Sequence, residues 1–318
     1  MAEAVACGKL ILLGEHFVLY GAPALVLAGG PKVRVQASRA EEDRLLSPSL
    51  SLDVRLAAAP PPAARPFASL LSRLKREAGY RGGVRLLIRS SIPVGQGLGS
   101  SGAVLVASAA AVNSLLGLGL SREELARVAL EAEQLVHGRS SGIDVFAPLY
   151  GGLLLYSSGR GILRRRPRAG LPLVLAFSGV KRSTRRVIER VSSWREAHPH
   201  TFSLLARQVG SWAEEGFGLA EEGELERLGL LMTLNHCLLS LLGASHPRLD
   251  GLVNESLARG ALGAKLSGGG GGGVAAVLVR KGQQGRLSRE LRERGFRALP
   301  FRPSSEGVSV RGGSARKA

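Results

Sequence analysis

Aromatic residues are scarce, at 4% of 318 positions, so core volume must come from Leu, Val and Ala. Cysteine is scarcer still: Cys7 and Cys237 stand far apart and match no metal-ligand spacing. That removes a cysteine metal centre and argues for a reducing, cytoplasmic setting. Acidic residues are also short. The chain has 25 Asp and Glu against 43 Lys and Arg, for a net charge of +18 and a pI of about 11.2. Such a balance raises the question of a nucleic-acid partner. What that partner needs is missing: no basic stripe interleaves with aromatics and no zinc-finger spacing occurs. The basic residues are nearly all arginine and spread along the chain, densest at Arg164 to Arg168 and Lys181 to Arg186. A solvated basic surface that draws in anionic substrates fits better, and no nucleic acid is expected.

Charge is absent altogether between Arg89 and Arg122. The length suits a bilayer, but Pro93, several glycines and serines, and Asn113 interrupt the stretch. We read it as a loop followed by a helix buried on most sides, with no membrane partner. No secretory leader is expected, because "GKLILLGEH" begins at Gly8 and carries Lys9 and Glu15. No internal repeat is visible. What is present is ordinary globular composition, 45% hydrophobic and 21% charged. The length allows a large core or two domains sharing a cleft.

Strand and helix patterns alternate. "KLILLG" and "ALVLAGG" read as buried strands on either side of a turn, and "KVRVQAS" as an alternating strand. "AAAPPPAARP" is a loop, and "FASLLSRLKREAG" a helix ending at Gly79. "GVRLLIRSSIP" is a strand that leads into "PVGQGLGSSG", Pro93 to Gly102. Ser121 and Glu124 form a capping box for the next helix, which Gly138 closes. "GGLLLYSS" is a strand, and the basic run from Arg164 to Arg168 is the candidate linker. "PLVLAFSG" opens a second unit. A long helical region runs from Ser183 to about Leu242, with a turn near Glu222. Strand, glycine loop and strand follow, then a charged helix and final strands. The pattern is α+β in two units: residues 1–165, residues 166–310, and a basic tail, 311–318, expected to be disordered.

Four segments have the residue types for chemistry. In "PVGQGLGSSG" the glycines let backbone N–H groups approach phosphate oxygens, and a helix starting near Ser100 adds its positive end. No Lys follows as in a Walker A loop; the plain alternative is a Gly-rich helix start. In "EQLVHGRSSGID", Glu133 and Asp144 stand eleven residues apart across a loop. One carboxylate suits a metal and the other a hydroxyl; the alternative is a solvated helix face. In "GKLILLGEH", Lys9 begins a strand that Glu15 and His16 follow; alone, His16 reads as a satisfied turn residue. "KLSGGGGGG" is entropically costly unless backbone must lie against a ligand, and apolar strands on both sides argue against a linker.

In this order, "GKLILLGEHFVLYGAPAL", "PVGQGLGSSGA", "HGRSSGID" and "KLSGGGGGGVAAVLV" resemble the signature segments of the GHMP kinase superfamily. Within it they look most like mevalonate kinases of the shorter archaeal type, and "FSGVKRSTRRVI" resembles a further segment of that family. The resemblance implies a two-domain α+β GHMP kinase fold. Its N-terminal domain is ribosomal S5 domain 2-like and its C-terminal domain ferredoxin-like, with the site between them. It implies ATP and Mg²⁺, with mevalonate phosphorylated on its 5-hydroxyl, and leaves room for a homodimer. Residue by residue, Gly95, Gln96, Gly97, Leu98, Gly99, Ser100 and Ser101 would wrap the ATP phosphates, with Ser90 contributing. Ser101 and Glu133 would hold the metal. Asp144 would meet the attacking hydroxyl with Lys9 beside it. Glu15, His16, Thr184, Gly269 and Gly270 would serve the substrate. Gly102 stands where alanine is common, which is expected to loosen the helix start. Another GHMP kinase, acting on phosphomevalonate or homoserine, is the rival enzyme. A basic nucleic-acid-binding protein with an S5-like domain is the rival class.

Overall fold

The structure, a computed structural model, describes residues 1–56, 60–137, 140–180 and 184–312; for residues 136, 137, 184 and 185 it describes the backbone alone. The chain opens with β1 (Ala2–Leu13), a single 3-10 turn (Phe17–Tyr20) and β2 (Ala24–Ala40). Short strands β3 (Arg44–Ser47) and β4 (Leu52–Arg55) precede α1 (Arg65–Glu77) and β5 (Gly83–Ser90). Three helices follow: α2 (Ser100–Leu116), α3 (Arg122–His137) and α4 (Ile143–Tyr150). The hairpin β6 (Leu153–Ser157) and β7 (Gly161–Arg166) leads to β8 (Leu173–Phe177). Next come α5 (Thr184–Ala197), α6 (Pro199–Glu222), α7 (Leu225–Leu241) and α8 (Pro247–Ala258). The chain ends with β9 (Gly263–Ser267), β10 (Val274–Leu278), α9 (Gln284–Glu293), β11 (Arg297–Phe301) and β12 (Ser309–Arg311).

Two sheets result. The first has the order β12-β1-β2-β5-β3-β4, with β6 paired to β2 and β7 to β6. The second has the order β11-β8-β10-β9. With helices between β8 and β9 and α9 between β10 and β11, that is the 4-1-3-2 order of a ferredoxin-like unit. The α+β two-unit expectation therefore holds. Leu12, Leu13, Leu25, Phe217, Leu228, Met232 and Val274 belong to one continuous buried cluster, so the core runs unbroken from one sheet to the other.

Helix α2 follows the charge-free stretch. Its buried residues, from Gly102 to Leu115, cover most of its surface and belong to the first sheet's core. Among the described residues no helix is long and apolar enough to cross a membrane. The Ser121–Glu124 capping box forms in both directions, with N–H to Oε2 at 2.8 Å and N–H to Oγ at 3.2 Å. Gly138, expected to close that helix, lies outside the described residues.

Three features differ from expectation. "ALVLAGG" and "KVRVQAS" are not two strands but one, β2. Gly29 and Gly30 take φ of 151° and 75°, and near them the register against β1 slips between Cys7 and Gly8. Glycine lets the ladder absorb that irregularity without ending. The basic run is not a linker: Arg164, Arg165 and Arg166 pair with β6 in an edge strand. Arg164 lies 4.4 Å over the Phe217 ring, and Arg165 donates to the Tyr150 carbonyl at 2.7 Å. Long stems packed on apolar surface with charged ends in water let an edge strand hold arginines. The passage to the second sheet comes after Arg166, and the chain later returns: β12 pairs with β1. Arg311, read as part of a tail, is in that strand; residues 313–318 lie outside the described residues.

Candidate active site

The site is assembled around β1. Lys9 sits on that strand with 3% of its surface exposed. Its backbone N–H donates to the Leu98 carbonyl at 3.0 Å, which ties the glycine loop to the strand. Neighbouring Gly8 makes the approach possible: a Cβ there would stand 2.9 Å from that same oxygen. In the loop Gly95, Gly97 and Gly99 have φ of 71°, 92° and 72°, while Gln96 and Leu98 between them do not turn positive. Such alternation is the backbone pattern of anion-binding nests. Gly99 is also the N-cap of α2 and brings no side chain to cap it. The helix's first N–H groups and its positive dipole end are thus presented beside the loop.

Asp144 comes from α4, whose N-cap Gly142 has φ of 83°. Its Oδ1 lies 3.1 Å from Lys9 Nζ, with side-chain exposures of 35% for the acid and 4% for the lysine. Gly99 closes the triangle: a Cβ there would lie 3.1 Å from Lys9 Cγ and 3.2 Å from Asp144 Oδ1. Glycine loop, cation and carboxylate meet at one point. Gly102 does not loosen the helix start. A Cβ on it would stand 2.1 Å from the Asp144 carbonyl oxygen, so glycine lets α2 close on the backbone of α4.

Glu133, on α3, is 1% exposed and accepts from the Ser140 hydroxyl. Burial, and then the Asp144 carboxylate, push its pKa up to about 7. Two carboxylates that repel one another, one buried and one partly exposed, suit a divalent cation. Among the described residues no three His, Cys, Asp or Glu side chains cluster as a complete metal cage. Mg²⁺ needs none: it is held by one or two carboxylates plus phosphate oxygens and water. Glu133 and the Ser101 hydroxyl, in the first turn of α2, are hard oxygen donors of that kind.

Glu15 and His16 follow β1. Glu15 is buried and paired with Lys265 of β9. His16 takes φ of 62° and ψ of −49°, a strained backbone for a non-glycine residue, at the entrance to the 3-10 turn. The Ser90 hydroxyl is used locally and accepts from the Ile92 N–H at 3.1 Å. Gly270 lies against protein: a Cβ there would be 1.9 Å from the Ala244 oxygen. That oxygen also accepts from the Gly271 N–H, so part of the glycine run serves backbone packing. Gly269 is half-buried and shows no positive φ. Thr184 opens α5, but its side chain lies outside the described residues. Lys265, Asn235 and His236, all buried here, were not singled out from sequence. One signal was available for Lys265: a lysine between apolar residues of a strand demands a buried acid.

The model of the GHMP kinases N terminal domain matches residues 66–152, and that of the GHMP kinases C terminal region matches residues 217–297. The chain belongs to the GHMP kinase family. Its relatives include mevalonate kinases. That of Aeropyrum pernix is 36% identical over 97% of this chain and 98% of its own length. That of Pyrococcus furiosus is 35% identical, over 83% of this chain and 85% of its own. The crystal structure of L. major mevalonate kinase in complex with R-mevalonate matches with a TM-score of 0.78 at 28% identity, covering 94% of this chain and 95% of that one.

Proposed function

We propose that this chain transfers the γ-phosphoryl group of ATP to the 5-hydroxyl of mevalonate. The carrying observation is the contact of Lys9 and Asp144 with each other and with Gly99 of the glycine loop. Its setting is a chain similar to mevalonate kinases over nearly its whole length. An alcohol is a weak nucleophile at neutral pH. Asp144 accepts or orients its proton while the oxygen bonds to the γ-phosphorus and the bond to the bridging oxygen of ADP breaks. Lys9, with its ammonium 3.1 Å from the Asp144 carboxylate, stabilises the developing alkoxide and the phosphoryl charge. The loop from Gly95 to Ser101 would hold the phosphates with its backbone N–H groups, a role that its alternating positive-φ glycines support. Glu133 and Ser101 would hold Mg²⁺, which neutralises phosphate charge when bound. Glu15, His16, Thr184 and Gly269 serve the substrate. Two free cysteines among the described residues fit a cytoplasmic enzyme.

The test is ATP turnover with mevalonate against phosphomevalonate, homoserine and galactose, in wild type and in Asp144→Asn. Mevalonate is expected to be the preferred acceptor. Asp144→Asn is expected to lose about a thousandfold or more in kcat, with ATP affinity nearly unchanged. A preference for another acceptor, or a folded variant with normal kcat, removes this reading.

A further inference from the structure

The mechanism above gives Glu15 a role but leaves none for the lysine buried against it. Lys265 on β9 and Glu15 after β1 meet with side-chain exposures of 0% and 1%. The ammonium also donates to the Leu266 carbonyl at 2.7 Å. Taking both charges out of water costs several kcal/mol each, and an apolar pair of like volume is often as stable. Such a pair is therefore weak as a device for stability alone. The carboxylate is also incompletely used. Its Oε1 meets Lys265, while Oε2 is buried and has no hydrogen-bond partner among the described atoms. Buried oxygens of this kind are rare in native proteins and ask for a donor.

The surroundings fix Glu15 from the second sheet's side. Ser267, two residues after Lys265, accepts from the Ile11 N–H at 2.9 Å, and Asn235 of α7 accepts from the Gly14 N–H at 3.1 Å. The charged and titratable groups around the pair are Lys9 of β1, His236 of α7 and Asp250 of α8, with His16 adjacent in sequence. His236 adds no second cation. Its Nδ1 accepts from the Leu266 N–H, its Nε2 lies 3.1 Å from Asp250, and burial followed by the Lys265 charge pushes its pKa down to about 4. Burial pushes the Glu15 pKa up and the Lys265 pKa down, and the nearness of each to the other is what opposes both shifts.

Resting on the reading that Glu15 meets the acceptor alcohol, we infer that Lys265 is a positioning residue. It fixes the orientation and negative charge of Glu15, so that Oε2 is left to accept a hydrogen bond from mevalonate. Lys265 touches neither substrate nor phosphate in this role. It acts through Glu15, and it ties substrate recognition on one side of the cleft to the strand that leads into the glycine run on the other.

The experiment is a double-mutant cycle with steady-state kinetics and melting curves on the full chain. Lys265→Met is expected to raise KM for mevalonate about tenfold or more and to leave KM for ATP within about twofold. Without its counter-charge the buried Glu15 carboxyl holds its proton to higher pH, so the acid limb of kcat/KM for mevalonate moves up by about one unit or more. Glu15→Gln is expected to raise the same KM, and adding Lys265→Met to it to raise it no further. Should Lys265→Met fail to fold, Lys265→Gln keeps a hydrogen bond without the charge and must show the same acid-limb shift. Glu15→Gln/Lys265→Met leaves no unpaired charge in the core and should fold. A folded Lys265 variant with wild-type KM and pH profile overturns the inference, as does a double variant that binds mevalonate normally. If Glu15→Gln itself leaves KM for mevalonate unchanged, the underlying assignment of Glu15 falls instead.

Discussion

Glu133 is a carboxylate in a place that resists its charge. With its pKa near 7 in the folded protein against 4.5 for the free side chain, the fold prefers it protonated. The sign follows from linkage. Below about pH 4.5 the group is neutral in both states and costs nothing; the cost grows as pH rises toward 7 and is complete above it. The shift corresponds to roughly 3 kcal/mol of ligand-free stability at alkaline pH. Glu133→Gln should therefore melt higher than wild type at about pH 8 without ligands, the gap closing near pH 5, while its activity demands more Mg²⁺. Melting curves at the two pH values, with Mg²⁺ titrations of the rate, check this. A variant that melts lower at high pH counts against the stored charge. Glu133 and Asp144 stand eleven residues apart in the sequence and do come near enough to repel, while roles for them came only with the family resemblance. The pairing of Glu15 with Lys265 was not legible in the sequence: 250 residues separate the two, and no periodicity reports across such a gap.

At the scale of elements, α2 carries the glycine loop into the core and α4 carries Asp144 to meet it. Their contact depends on Gly102, where a Cβ would stand 2.1 Å from the Asp144 oxygen and 2.4 Å from its carbonyl carbon. Backbone cannot swing aside as a flexible side chain does, so a methyl group must push the helices apart. Gly102→Ala gains at most about 1 kcal/mol of helix propensity. Against that, it moves the carboxylate relative to Lys9 and the loop, and misplacement by about an ångström can cost a hundredfold in rate. We expect kcat to fall about tenfold or more and KM for ATP to change little. An unaltered kcat counts against this contact as the device that sets Asp144. Sequence showed the glycine as a departure from a common alanine but not its partner, which is 42 residues along the chain on another helix. The capping box at Ser121 and Glu124 was fully legible, because helix caps are made within four residues. The strand β7 was not, because arginines on an edge strand look in sequence like a linker.

On the scale of the whole molecule, the chain does not leave the first sheet for good. After β11 it crosses back. Ser304 bonds to both neighbouring segments, accepting from the Gly152 N–H at 2.7 Å and donating to the Ala28 carbonyl at 2.9 Å. Gly307 then lies so close to α4 that a Cβ on it would be 1.9 Å from the Leu149 oxygen. β12 pairs with β1 at Glu3, Ala4 and Val5, and the Ser114 hydroxyl of α2 donates to the Gly312 carbonyl at 3.0 Å. This return segment touches three elements of the site at once: β1, which carries Lys9; α2, which carries the loop; and α4, which carries Asp144. A chain stopped after Arg302 keeps both sheets' other strands but loses the strap. Each hydrogen bond contributes about 1 kcal/mol net, so the loss should be roughly 3–5 kcal/mol. For a protein of this size that lowers the melting temperature by about 2–4 °C for each kcal/mol. Turnover should fall as well, because the C-terminal end of α4 loses its contact with Gly307 and α2 loses its bond to Gly312. The control is a chain stopped after Gly312, which retains every contact named here. Equal melting temperatures and equal kcat for the two truncations would show the return segment to be passive. A drop in both for the shorter chain alone would show that the second unit's last residues support the first unit's chemistry.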